Sequence, residues 1–458
     1  NNGVLSNSTT TAFIPLPESI VDISDYALYN AYKGTSSSAL SGKIDLSSLQ
    51  AITGNSACYY TFANCTGITS IDVSSLIVTV GSSCCYGMFS GDTGITSADF
   101  KSLVWIKGNS CCRQMFYNCT NLASVNVSKV AKLSGSLQQA FQNTAITELS
   151  FNNLAYTASN INAGFQNMLQ GCSNVTVHFP TEWQTDMASY SNVTAGFGGT
   201  NTTVLFDLPN VRTLDLTGIK SIKVNSLFSS FANNNYFPNI TKVDLSDLEY
   251  ISGQTAFSNA FQNTTSITSV DVSKLIVITA YQGIGGALNG CTGITTMRYD
   301  SLKYTKGDRT CMDICSNMTG LTNVYFPALT PSGYDAGTFR RAVLNTTGVT
   351  IHFPSNMQST ITADSDYPNF AGTNTVVSFD LPATVILTGV DTVEYERNPK
   401  YDTATALAWR VKDTGTAPEF VIDWTPFYTS GTTDPTVGAT IYSDSACTVA
   451  VTTISSIA

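Results

Sequence analysis

The sequence predicts a repeat solenoid of the α/β class. Three observations carry that expectation: a hexapeptide that returns every 27 residues, a column of alternating Asn and Gly, and a tandem copy of the whole block. The hexapeptides 44–49, 71–76, 98–103 and 125–130 begin 27 residues apart, and the same unit returns at 214–219, 243–248, 270–275, 297–302 and 324–329. Val175-Thr176-Val177-His178-Phe179-Pro180 recurs as Val349-Thr350-Ile351-His352-Phe353-Pro354, an offset of 174. The chain therefore reads as a capping segment 1–38, a first repeat block 39–213, a duplicated block 214–388 and a small all-β module 389–458.

Within a unit, Ile68, Ile71, Val73 and Leu76 are spaced so that a short strand sends alternate side chains inward. Upstream, apolar residues pair at i and i+4: Cys58 with Phe62, Cys85 with Phe89, Cys112 with Phe116, Leu137 with Phe141. That spacing predicts one or two turns of helix with both members on one face. Two positions after the second member stand Asn64, Gly91, Asn118, Asn143, Gly171, Asn233, Asn263, Gly290, Asn317 and Asn345. Only Asn and Gly accept a left-handed backbone cheaply, so this column predicts a left-handed cap that closes the helix. Strands repeat every ~4.8 Å, whereas packed helices need ~8 to 10 Å. The expected stack is curved, with a concave parallel sheet and short convex helices.

The run Met115-Phe116-Tyr117-Asn118-Cys119-Thr120-Asn121-Leu122-Ala123-Ser124-Val125-Asn126-Val127-Ser128 resembles the repeat of BspA-type leucine-rich-repeat surface proteins. Ile14-Pro15-Leu16-Pro17-Glu18-Ser19-Ile20-Val21 through Tyr29 resembles that family's opening, and the resemblance covers roughly residues 12 to 387. It implies an exported bacterial protein with adhesion or matrix binding as its role; such repeats also occur in virion proteins. After Gly389 the repeat stops. Val393-Glu394-Tyr395, Leu407 to Val411, Phe420 to Trp424 and Thr440-Ile441-Tyr442 alternate as in a small β-module, one that reads as incomplete.

Composition excludes several classes. With 22 Lys+Arg against 32 Asp+Glu, the net charge of −10 leaves no basic face for nucleic acid. No apolar run is long enough to span a bilayer, and the opening Asn1-Asn2-Gly3 lacks a signal pattern, as in a processed chain. Only 12% of residues are charged, so the polar surface consists largely of Ser, Thr and Asn.

The 12 cysteines mostly fall in repeat columns. Cys58, Cys85, Cys112 and Cys311 take the inward position that other coils fill with Leu137, Leu227, Phe257, Ile284 and Phe339. Cys84 and Cys111 share a small-residue column with Ala57, Ser136, Ala256 and Gly283. Equivalent points on packed helices lie beyond the ~7 Å Cα limit of a disulfide, so free buried thiols are expected. No metal signature, cofactor motif or catalytic constellation is present. Sequons are frequent, but Asn64, Asn118, Asn263, Asn317 and Asn345 are already explained by the left-handed column.

The candidate binding residues are the outward strand carboxylates. Asp45, Asp72 and Asp99 form one run, followed by Asn126; Asp215, Asp244 and Asp271 form another, followed by Arg298. Like charges on neighbouring strands cost stability, so the runs predict either a solvated polar face inherited through duplication or a shallow acidic groove. His178 and His352, the only histidines, occupy matching places in the two blocks, which favours packing over catalysis. The expected function is non-enzymatic adhesion to a protein or glycan on a host or matrix surface, with localisation at the bacterial cell surface. The alternative is a phage or virion fibre or decoration subunit, which would oligomerise.

Overall fold

Each coil has three sides, and hydrogen bonds between neighbouring coils occur on all three, though not between every pair of coils. The computed structural model describes residues 16–34, 40–157, 164–188, 196–232, 237–370 and 372–382. Beyond these it describes the backbone of Ile386–Leu387, Val390–Tyr395, Trp409–Asp413 and Phe420–Val421. In the first block one side carries three short parallel sheets that align Asp45 with Asp72, Asp99 with Asn126 and Ser150 with His178. Ile44, Ile71, Ala98, Val125, Leu149 and Val177 point inward from it and are buried. A second side is a six-stranded parallel sheet of Asp22–Ile23, Ala51–Ile52, Val78–Thr79, Trp105–Gly108, Lys132–Gly135 and Tyr156–Thr157.

The third side corrects the expected convex helix. It is a ribbon of consecutive turns in which successive backbone N–H groups alternate between two partners. Cys58, Tyr60 and Phe62 donate to Cys84, Tyr86 and Met88 of the next coil at 2.7, 2.8 and 2.8 Å. Between them, Tyr59 and Thr61 donate back to Ser56 and Cys58 at 3.3 and 3.4 Å, three residues upstream. A positive φ recurs every fourth residue, at Ser56 (48°), Tyr60 (48°) and Asn64 (63°), as at the third position of a type II turn. This four-residue turn repeat puts Cys58 and Phe62 on one face just as a helix would, which is why the i, i+4 pattern pointed to a helix. The Asn and Gly column is left-handed at every described position, from Asn64 (63°) to Asn345 (59°); Asn233 lies outside the described residues.

The ribbon is favoured because it keeps the sheet's spacing. A packed helix would force coils apart to ~8–10 Å and break both strand ladders, whereas the ribbon holds them at ~4.8 Å and pairs alternate N–H groups between coils. Left-handed non-glycine residues cost roughly 1–2 kcal/mol each, and the gained hydrogen bonds offset this. With all three sides at sheet spacing, the mismatch expected to curve the stack is absent. Among the described residues regular helix is limited to short segments, the longest being Trp183–Ala188 and Gln358–Thr362 in the loops after the His-Phe-Pro strands.

The core is built from stacked columns. Phe62, Phe89, Phe116 and Phe141 stack at centroid distances of 5.4, 5.4 and 6.1 Å. In the second block Tyr299, Phe326, Phe353 and Phe379 do so at 5.0, 5.4 and 6.1 Å. Fully burying such a ring is worth ~2–3 kcal/mol.

The ladder of the first block ends at Thr203–Leu208, and a new one begins at Thr213–Asp215. The second block does not simply continue the stack. Its opening coil packs across the six-stranded sheet of the first block, where Ala51, Val78, Trp105 and Lys132 point outward and are buried. Gln50 Nε2 donates to the Ser221 carbonyl at 2.7 Å, the Lys223 N–H donates to Gln50 Oε1 at 2.8 Å, and Lys129 pairs with Asp215. The matching face of the second block, formed by Ser221, Tyr250, Val277 and Tyr304, is half-exposed. Beyond residue 385 the described backbone forms two antiparallel pairs, 386–387 with 420–421 and 390–395 with 409–413. The expected strand at Thr440-Ile441-Tyr442 lies outside the described residues.

Candidate functional site

The outward carboxylates stand in register, as their spacing requires: Asp45 opposite Asp72, and Asp215, Asp244 and Asp271 in one row. Most of them have local work. One oxygen of Asp45, Asp72, Asp215, Asp244 and Asp271 accepts the backbone N–H two residues on, from Ser47, Ser74, Thr217, Ser246 and Ser273. These Asx turns bend the chain out of the strand. Asp99 instead accepts the side-chain amide of Asn126 at 2.8 Å.

Cations soften the repulsion. Lys43 reaches Asp72 at 2.8 Å and Asp45 at 4.0 Å, and Lys242 reaches Asp244 at 3.1 Å. The hydrogen bond from Lys43 holds the Asp72 carboxyl below the usual range, and the Ser47 hydrogen bonds do the same for Asp45. At Asp215 and Asp244 burial opposes ionisation, but hydrogen bonds and the neighbouring lysines outweigh it. In the second block the row continues with Arg298, Tyr325 and His352. The Arg298 guanidinium lies 4.7 Å over the Tyr325 ring, which stacks on His352 at 4.3 Å.

A second surface, on the ribbon of the first block, was not anticipated. Tyr29, Tyr59 and Tyr86 stack at 4.9 and 5.0 Å, with Tyr60 edge-on to Tyr59 at 4.9 Å. Lys33 sits 4.8 Å over Tyr60, and Arg113 sits 5.7 Å over Tyr86. The ladder then changes to amides: Gln114 Nε2 donates to Gln139 at 3.1 Å, and Gln138 Nε2 to Gln166 at 2.8 Å. Tyr26 and Tyr29 are 58% and 41% exposed, more than a core role would leave. The copied block fills the places of Tyr59, Tyr86, Arg113, Gln138 and Gln166 with Ser229, Ser258, Gly285, Met312 and Arg340. The fold therefore does not need the aromatic ladder. Its sequence signal was present, since Tyr59 and Tyr86 are separated by the 27-residue period.

The histidines are structural neighbours of aspartates. His178 Nδ1 lies 2.8 Å from Asp207, and His352 Nδ1 lies 2.9 Å from Asp380. Among the described residues no helix is long and apolar enough to cross a membrane. An internal cavity of about 30 Å³ in the second block is lined by apolar residues such as Leu245, Phe261, Leu288 and Met297, and such a cavity stays dry.

The family model described as BspA type leucine rich repeat region matches residues 1–104 and 45–176, in six copies. It bears out the resemblance read from the repeat and leaves the second block outside the matched residues. A leucine-rich repeat protein from Bacteroides ovatus is similar in structure, with a TM-score of 0.24 and 14% identity over 80% of this chain and 77% of that one. No curated protein matches.

Proposed function

We propose that this chain, whose residues 1–176 carry BspA-type leucine-rich repeats, is a non-enzymatic, exported binding protein that holds an extended partner along its first block. A repeat scaffold of this kind is typically non-catalytic, and the family is commonly surface-associated. Stacked coils present the same contact at regular intervals, which suits multivalent attachment. The observation that carries the proposal is the surface column of Tyr29, exposed, and the half-buried Tyr59 and Tyr86, continued by Arg113 and the glutamines and absent from the copied block.

Its chemistry favours a protein partner over a glycan. Sugars stack on open ring faces, but here neighbouring rings, Lys33 and Arg113 cover those faces, and the Tyr60 hydroxyl is held by Gln114 at 3.1 Å. Tyrosine and arginine in that presentation are typical anchors of protein interfaces. The carboxylates Asp45, Asp72, Asp99, Asp215, Asp244 and Asp271 remain contact candidates on the strand face, with Asp72, Asp215 and Asp244 already paired to Lys43, Lys129 and Lys242.

Binding of the full chain to arrays of extracellular-matrix proteins and of bacterial and animal glycans tests this. A protein spot lost in Tyr59→Ala/Tyr86→Ala, with melting unchanged, is the expected result. Loss only in Asp72→Asn/Asp99→Asn assigns the contact to the strand face. Signal confined to glycan spots overturns the choice of partner, and no signal on either array overturns the binding role.

A further inference from the structure

The ribbon puts equivalent side chains of adjacent coils within a sheet spacing of each other, which removes the reason for expecting no bridge between coils. Cys85 donates its N–H to the Cys111 carbonyl at 2.8 Å, and Cys58 donates to the Cys84 carbonyl at 2.7 Å. The Cα separation of paired chains at that spacing falls inside the 4.4–6.8 Å window of disulfides. The sulfurs have come closer than packing alone explains. Cys84 Sγ and Cys111 Sγ are 2.7 Å apart, whereas the sequence-adjacent pairs Cys84/Cys85 and Cys111/Cys112 stand at 3.8 Å. Both thiols are fully buried, and neither is bonded here.

We infer that Cys84 and Cys111 are a built cross-link site, which closes to a disulfide between neighbouring coils when the chain folds in an oxidising compartment. Several other thiols are hydrogen-bonded to backbone carbonyls instead. Cys119, Cys172 and Cys291 donate to the carbonyls of Phe89, Phe141 and Phe261 at 3.0, 3.1 and 3.1 Å, as Thr264 does to Ala232 at 2.7 Å.

The oxidant is a disulfide, RS–SR, from a small molecule or an oxidase. The Cys84 thiolate attacks one sulfur and expels the first RS⁻, leaving a mixed disulfide. The Cys111 thiolate then attacks the Cys84 sulfur and expels the second RS⁻. The two protein sulfurs lose two electrons, the oxidant gains them, and the two thiol protons end on two RSH. Because both sulfurs are buried, closure belongs to folding, before the coils pack.

The test uses the full chain from an oxidising expression compartment, denatured in N-ethylmaleimide, digested without reductant and analysed by mass spectrometry. A peptide pair joined through Cys84 and Cys111, abolished by dithiothreitol, is expected. It should vanish in Cys84→Ala and in Cys111→Ser and persist in Cys58→Ala. Both substitutions use residue types the same column already holds at Ala57 and Ser136. Dithiothreitol should lower the melting temperature of the parent chain but not that of Cys84→Ala. Complete alkylation of Cys84 and Cys111 without reduction overturns the inference, as does a bond joining different cysteines.

Discussion

The indole of Trp105, from the first block, meets the ring of Phe231, from the second, edge-on at 5.3 Å, and Lys132 closes the contact. Lys132 Nζ lies 4.8 Å over Trp105 and donates to the Phe231 carbonyl at 2.5 Å. This cluster joins the two copies. Trp105→Ala removes a buried aromatic and is expected to cost about 3–5 kcal/mol. Urea unfolding followed by fluorescence and circular dichroism should then resolve two transitions if the cluster couples the blocks. A single transition shifted as a whole would mean that the blocks remain coupled without it.

Asp92 is a buried carboxyl in a column otherwise made of Cys65, Cys119, Thr144 and Cys172. Its Oδ1 accepts the Cys65 N–H at 2.6 Å, its Oδ2 has no partner, and burial raises its pKa to about 9. The folded state therefore holds a proton that the unfolded state releases near pH 4. Stability should fall as pH rises between those values, by up to about 1.4 kcal/mol per unit. Asp92→Thr, which installs the neighbours' hydroxyl donor, should be more stable than the parent at pH 8 and closer to it at pH 5. Equal urea midpoints at both pH values would refute a protonated Asp92.

The Asx turns predict a split between two substitutions at one site. Asp72→Asn keeps the acceptor for the Ser74 N–H and should leave stability within about 0.5 kcal/mol, whereas Asp72→Ala should lose about 1 kcal/mol. The Asp72 pKa is depressed in the fold, so its stabilisation is full above pH 4 and is lost as pH falls through the folded value. Acid titration of the melting temperature should accordingly be shallower in Asp72→Asn; an unchanged acid limb would remove Asp72 from the account.

At Gly81 the sheet hands the chain to the ribbon with no room for a side chain. An added Cβ would stand 2.1 Å from the Gly54 carbonyl oxygen of the preceding coil. Gly81→Ala should therefore destabilise by several kcal/mol, because a rigid backbone must move. Asn118→Ala, at a φ of 61°, should cost about 1–2 kcal/mol because it also loses the amide bond from Asn143, and Asn118→Gly, which relieves the φ but loses the same bond, should cost less. Chemical denaturation of the three variants gives the order directly; Gly81→Ala milder than Asn118→Ala would contradict the close coil approach.

The period, the stretches that recur at an offset of 174, the inward strand positions and the left-handed column are legible in the chain itself, because each depends on recurrence, on one residue's own conformational cost or on alternation along one strand. Ile71, Val73 and Asn64 announce their roles locally. Only the stacked structure decided that the third side is a turn ribbon. Whether the Tyr60 N–H bonds within its own coil or to Tyr86 is settled by the coil beside it, and a four-residue turn repeat looks like a helix in one dimension. The same stacking drew Tyr29, Tyr59 and Tyr86 into one ladder and brought the sulfurs of Cys84 and Cys111 together. The fold-back of the second block onto Trp105 was illegible for a further reason: it depends on surface complementarity between distant coils, which no periodic pattern encodes.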